Sequence, residues 1–207
     1  MLQFLRNNKK FATVALILLI ASLCIGFVVP IIMWLLPDEE DESYEAYLNA
    51  ERLALEEELA TTEEELKENP NDGDAWANKA DLEYSLGSLF YQTGKTEEGL
   101  KYFNQATESY QEAIKYKPDD VHLRNDLASV AYYAGKYDLA EANYKKAIEL
   151  DPKYVNVRVN YGLFLYDVKK DYAGAVKEWE TALAAKPENE EDVKTIESLI
   201  AAAKEKM

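Results

Sequence analysis

Residues that ordinarily carry catalysis are thin on this chain. The one histidine, His122, has no cysteine or second histidine to complete a metal site and no serine–aspartate constellation around it. The one cysteine, Cys24, lies inside an apolar run, so neither an intramolecular disulfide nor a thiolate metal site can form. There is no glycine-rich phosphate loop, and carboxylate pairs such as Glu97-Glu98 are expected by chance among 39 acids. No enzyme activity, metal or cofactor is expected. Recognition chemistry is better represented. Among 15 tyrosines, Tyr91, Tyr132 and Tyr166 each fall four residues after a small residue, Gly87, Ala128 and Gly162. Tyrosine offers a broad, stiff contact surface with a hydrogen-bonding tip, the chemistry of a binding wall.

The elements that position these tyrosines recur. Pro118, Pro152 and Pro187 stand 34 and 35 residues apart, and a ladder of small and aromatic residues precedes the last two: Ala140, Tyr144, Ala147, then Ala175, Trp179, Ala182. A period of that length marks stacked helical hairpins, each burying its apolar face only against its neighbours. In the clearest repeat, Asp119 or Asp120 caps a helix running to about Ala134, with Leu127, Ala128 and Ala131 on its buried face. Gly135 supplies a left-handed turn. A second helix then carries Tyr137, Ala140, Tyr144, Ala147 and Ile148 as one apolar stripe up to Asp151-Pro152. The third repeat matches, with Tyr172 after a turn, Lys169-Lys170-Asp171, that lacks glycine and is one residue longer.

The first repeat departs. Leu86-Gly87 and Gly94 come seven residues late after Pro70, and Ala113 and Pro118 come seven late again, although Phe103 and Ala106 follow the turn as expected. Seven residues are about two helical turns, so the faces are kept and both helices are two turns longer. Residues 43–68 repeat Leu48, Leu55 and Thr62, and Arg52, Leu59 and Leu66, at intervals of seven. This amphipathic helix is expected to lie along the lengthened hairpin as a stalk, in a three-helix bundle. A homodimeric coiled coil is the alternative, disfavoured because Arg52 and Thr62 make a poor seam.

The ladder, the Gly135-x-Tyr137 turn, the terminal prolines and Trp76 six residues after Pro70 resemble the tetratricopeptide repeat. The resemblance implies an all-α superhelix of three hairpins (70–118, 119–152 and 153–187) closed by a cap helix over 188–207. It also implies that the first helices of the hairpins line a concave groove. Tyr91, Tyr132 and Tyr166 would face that groove, with Ser88, Gln92, Asn125, Ser129, Tyr133, Asn156, Asn160 and Asp167 as neighbours. Chaperone-binding members clamp a peptide carboxylate with cations. Here the matching positions hold Tyr84, Ser88, Asp126, Asn156 and Asn160, which would repel a carboxylate and accept a neutral or basic, partly apolar segment.

Charge and hydropathy place the domain. Before Asp38 there are three bases (Arg6, Lys9, Lys10) and no acids, whereas the remainder holds 39 acids against 20 bases. Such a surface repels nucleic acid. From Phe11 to Leu36 no residue is charged, long enough for a tilted transmembrane helix and too long for the apolar region of a cleaved signal. Leu23, directly before Cys24, stands where a lipoprotein signal needs a small residue. The basic flank should stay cytoplasmic, leaving residues 38–207 extracytoplasmic, either periplasmic or on the cell surface. The absence of N-glycosylation sequons and the style of anchor fit a bacterial membrane-anchored type. The expected role is a scaffold or assembly factor for secreted or membrane-complex proteins; the alternative is a permanent structural subunit of a larger membrane complex.

Overall fold

A computed structural model describes residues 39–187 and 189–207. The apolar run 11–36, read as a membrane anchor, lies outside the described residues. Among the described residues, no helix is long and apolar enough to cross a membrane. The chain divides into two units, Met1–Ala50 and Glu51–Met207. All the described elements are helices: α1 (Glu39–Glu68), α2 (Gly73–Gln92), α3 (Thr96–Tyr116), α4 (Val121–Tyr133), α5 (Tyr137–Leu150), α6 (Val155–Phe164), α7 (Tyr172–Ala184) and α8 (Glu190–Lys204).

The helices start where the sequence offers caps. Asp72 accepts from the backbone N–H groups of Asp74 and Ala75, and Asp120 from those of His122 and Leu123, satisfying donors that the first turn leaves free. The second helix of each of the first two hairpins has no side-chain cap, because its N-cap residue is a lysine, Lys95 or Lys136, with no acceptor to offer; the chain turns into it through a left-handed glycine, Gly94 (φ 77°) or Gly135 (φ 72°).

The third hairpin solves the same turn differently. Lys170 takes the left-handed conformation at φ 54°, and the extra residue is absorbed as a π-helical segment, Leu165–Lys169, ending the first helix. The additional residue therefore sits inside the helix and not in the loop where the spacing alone would put it.

Each hairpin is locked by a small residue facing a large ring. Gly87 faces Phe103 and Gly162 faces Trp179, while Ala128 and Tyr144 hold the same two positions in the middle hairpin. Phe103, Tyr144 and Trp179 are all buried. Two apolar clusters result, one joining α2, α3 and α4, the other joining the second and third hairpins with α8, whose Ile196, Ile200 and Ala203 close the stack. Tyr137, read as part of the buried stripe, is exposed at its edge. In α1, Thr62 and Leu66 are buried and Arg52, Leu55 and Leu59 half-buried, so this part of the heptad pattern marks one face. That face meets α2 through polar contacts: Asn78 donates to the Thr62 hydroxyl (3.0 Å) and Lys79 pairs with Glu63 (3.0 Å).

α2 and α3, at 20 and 21 residues, are each seven longer than α4 and α5, at 13 and 14. A repeated hydrogen bond fixes where the excess goes. Six residues after each proline, a side chain donates to that proline's own carbonyl: Trp76 to Pro70 (2.9 Å), Arg124 to Pro118 (2.9 Å) and Arg158 to Pro152 (2.9 Å). The loop ends of the three hairpins thus share one geometry. The first hairpin consequently outruns its neighbour at the turn end, by roughly 10 Å at ~1.5 Å per residue.

Candidate polypeptide-binding groove

Helices α2, α4, α6 and α8 line a chain of three adjoining cavities of about 310, 140 and 280 Å³. Asp81 and Tyr84 come from α2, Asn125, Asp126, Ser129, Tyr132 and Tyr133 from α4, and Asn156, Asn160 and Leu163 from α6. Asp192, Thr195 and Ile196 of α8 close one end. No lysine or arginine lines any of the three.

Of the sequence-predicted residues, Asn125, Ser129, Tyr132, Tyr133, Asn156 and Asn160 line these cavities together. Tyr91, Ser88 and Gln92 do not; they lie in the turn-end extension of α2. Tyr166 is also outside the lining and packs on Tyr172 (5.1 Å between centroids) and Trp179 (6.1 Å). For Tyr91, Ser88 and Gln92 the reason is register. Counting from the small residue pairs Tyr91 with Tyr132, but the hairpins are aligned at their loop ends. Tyr84, Tyr132 and Tyr166 each stand 14 residues after Pro70, Pro118 and Pro152, and that count finds Tyr84. Asp81 and Tyr110 were not singled out by sequence reasoning.

The groove floor is a closed network of donors. Asn160 Nδ2 donates to Asn125 Oδ1 (3.0 Å) and Ser129 Oγ (3.4 Å); the Ser129 hydroxyl donates to the Asn125 carbonyl (3.0 Å) and accepts from the Tyr144 hydroxyl (3.2 Å). Asn125 Nδ2 donates to Asp126 (3.0 Å), and the Tyr110 hydroxyl donates to Asp81. These bonds engage the Asn160 amide and the Ser129, Tyr144 and Tyr110 hydroxyls, and leave acceptor capacity on both carboxylates and on Asn160 Oδ1. Burial pushes the Asp126 carboxyl above the usual range; the Asn125 amide opposes this and the nearby Asp81 charge adds to it. Burial, then the charge of Asp167, which accepts from the hydroxyl at 3.2 Å, pushes Tyr132 up to about 12. The Tyr132 hydroxyl therefore remains neutral at physiological pH. Beside this, His122 Nδ1 lies 3.0 Å from the Tyr154 hydroxyl. Among the described residues, no group of three or more His, Cys, Asp or Glu is placed to hold a metal ion.

Two family models describing the tetratricopeptide repeat match residues 78–153 and 125–190. The chain carries tetratricopeptide repeats. Its fold is similar to that of the MamA protein (TM-score 0.55, 18% identity, 80% of this chain and 81% of that one). It is also similar to the TPR2B domain of yeast Sti1, solved as a complex with pHsp70 (TM-score 0.50, 24% identity, 64% of this chain and 98% of that one). A peroxisomal targeting signal receptor from Candida albicans is 32% identical over 84 residues, 41% of this chain. The chain spans only 13% of that receptor's length.

Proposed function

We propose that this tetratricopeptide domain holds a basic or neutral, partly apolar segment of a partner polypeptide in the groove between α2, α4, α6 and α8. The observation that carries the reading is the groove's polarity: Asp81, Asp126 and Asp192 with free acceptors, tyrosine walls, and no cation among the lining residues. A ligand rich in donors, with lysine or arginine side chains and exposed backbone N–H groups, complements it. The Candida relative is by its name a receptor for a targeting signal, in keeping with capture of a polypeptide segment.

The apolar, uncharged run 11–36, with bases before it and acids after it, supports anchorage by one membrane helix, with residues 38–207 on the extracytoplasmic side. In that setting the domain acts as a scaffold or assembly factor for secreted or membrane-complex proteins. The test is purification of the tagged full chain from its native membrane in mild detergent, alongside the Asp81→Asn/Asp126→Asn variant. Co-eluting proteins that the variant loses, and that bind through a lysine- or arginine-bearing segment, support the reading. Partners retained in full by the variant sink it.

A further inference from the structure

The lengthened first hairpin leaves an uncovered apolar step beside the groove. Tyr91 (56% exposed) and Leu100 (42%) lie on its projecting end, and Tyr133 (47%) and Tyr137 (46%) on the shorter second hairpin below. The rings form a continuous run. Tyr91 lies against Phe103 (6.3 Å), Phe103 stacks on Tyr133 (5.3 Å), Tyr133 meets Tyr132 edge-on (5.2 Å), and Tyr132 approaches Tyr137 (6.4 Å). The run is continuous with the groove, because Tyr132 and Tyr133 also line its cavity with Tyr84. Counted from the turn glycine, the residue that matches Leu100 in the second hairpin is Glu141, which pairs with Lys169 of the third hairpin (2.7 Å). At the first hairpin that position is apolar and exposed.

We infer that the step and the groove hold one extended partner segment, with a lysine or arginine at Asp81 and Asp126 and a bulky apolar side chain seated between Tyr91, Leu100 and Tyr133. This rests on the groove reading above. Charge fixes the polar end of the occupant. The helix fixes the spacing. Tyr84 and Tyr91, seven residues apart, share a face of α2, and Asp81 lies ten residues before Tyr91, a rise of roughly 15 Å at ~1.5 Å per residue. An extended chain advances ~3.3 Å per residue, so the cation and the apolar anchor stand about four to five residues apart. A helical occupant would need about ten.

A random 12-residue phage-displayed peptide library panned on the detergent-solubilised full chain tests this directly. The selected peptides are expected to carry Lys or Arg about four to five residues from Leu, Ile, Phe or Trp. By fluorescence anisotropy, Tyr91→Ala/Leu100→Ser should weaken the best peptide about tenfold and leave its apolar-anchor-to-Ala version unchanged. Both residues are exposed, and unaltered thermal unfolding of the variant verifies that the fold is kept. Unchanged affinity for the parent peptide overturns the inference and leaves the groove reading standing. Loss of apolar-anchor dependence without loss of cation dependence in Asp81→Asn/Asp126→Asn overturns the groove reading instead. A spacing of about ten overturns the extended occupant, and failure to enrich any such peptide counts against both.

Discussion

Replacing Gly162 with alanine isolates the contact that closes the third hairpin. An added Cβ would sit 2.7 Å from Cδ1 and Cε2 of Trp179 and nearer still to Nε1, on a ring with no exposed surface. The ring cannot yield cheaply, because its N–H donates to the Val159 carbonyl at 3.1 Å. Overpacking costs ~1–3 kcal/mol, and a strained or broken buried hydrogen bond about 1–3 kcal/mol more. Against this, alanine in a helix interior gains about 1 kcal/mol over glycine. Gly162→Ala is therefore expected to destabilise by about 3 kcal/mol, a fall in Tm of roughly 6–12 °C for a chain of this size. Urea and thermal unfolding followed by circular dichroism measure it. Gly162→Ala/Trp179→Tyr installs the Ala128–Tyr144 combination of the middle hairpin, and should recover at least ~1 kcal/mol relative to the sum of the two single changes. A neutral or stabilising single variant, or strict additivity of the pair, would refute the packing argument.

Three further outcomes follow from other parts of the structure. Lys170 holds a left-handed backbone that glycine adopts freely, so Lys170→Gly should stabilise by roughly 0.5–1 kcal/mol in urea unfolding, whereas the same change at Lys153 should not. Arg158 joins the Pro152 carbonyl to Glu178 with both side chains largely buried; Arg158→Ala strands that carboxylate and should cost about 3 kcal/mol. Glu83 is buried in the first hairpin, accepting from Ser109 (2.6 Å) with Lys79 at 3.8 Å, and burial raises its pKa despite both. A raised carboxyl favours the folded state when protonated: that stability is full below the unfolded value and is lost as pH rises through the folded one. Glu83→Gln should therefore raise stability at pH 7 and flatten its pH dependence on the acidic side, as read by denaturant midpoints across pH.

The repeat architecture was legible because the constraint is local and periodic. Asp120, Gly135, Tyr144 and Pro152 each do a job fixed by cap, turn or packing geometry, and the seven-residue excess in the first hairpin appears at full length in α2 and α3. What one repeat contacts in the next was harder, because hairpin register is a property of the stack. Counting from Gly87 selected Tyr91, Ser88 and Gln92; with the hairpins aligned by their shared hydrogen bonds to Pro70, Pro118 and Pro152, Tyr84 is the α2 tyrosine that lines the cavity with Tyr132. The signal was present in the 14-residue interval from each proline but competes with an equally regular count from the small residues. Asp81 was hidden for another reason. An acid among 39 looks like solvated surface until the fold sets it opposite Asp126 and under the Tyr110 hydroxyl. The extra residue at Lys169-Lys170-Asp171 likewise had two homes, loop or helix, and only backbone geometry placed it in a π-turn.

The most direct test of the groove places a photo-crosslinking amino acid at Asn160, between the tyrosine wall and the carboxylates, in the full chain expressed in its native cells. A second position at Lys146, half-exposed on α5 and outside the cavity lining, serves as comparison. The account predicts that position 160 cross-links to partner segments bearing lysine or arginine within a few residues of the attachment point, and that Asp126→Asn weakens this capture. Cross-links that map to acidic segments, or that form equally well from position 146, would contradict it.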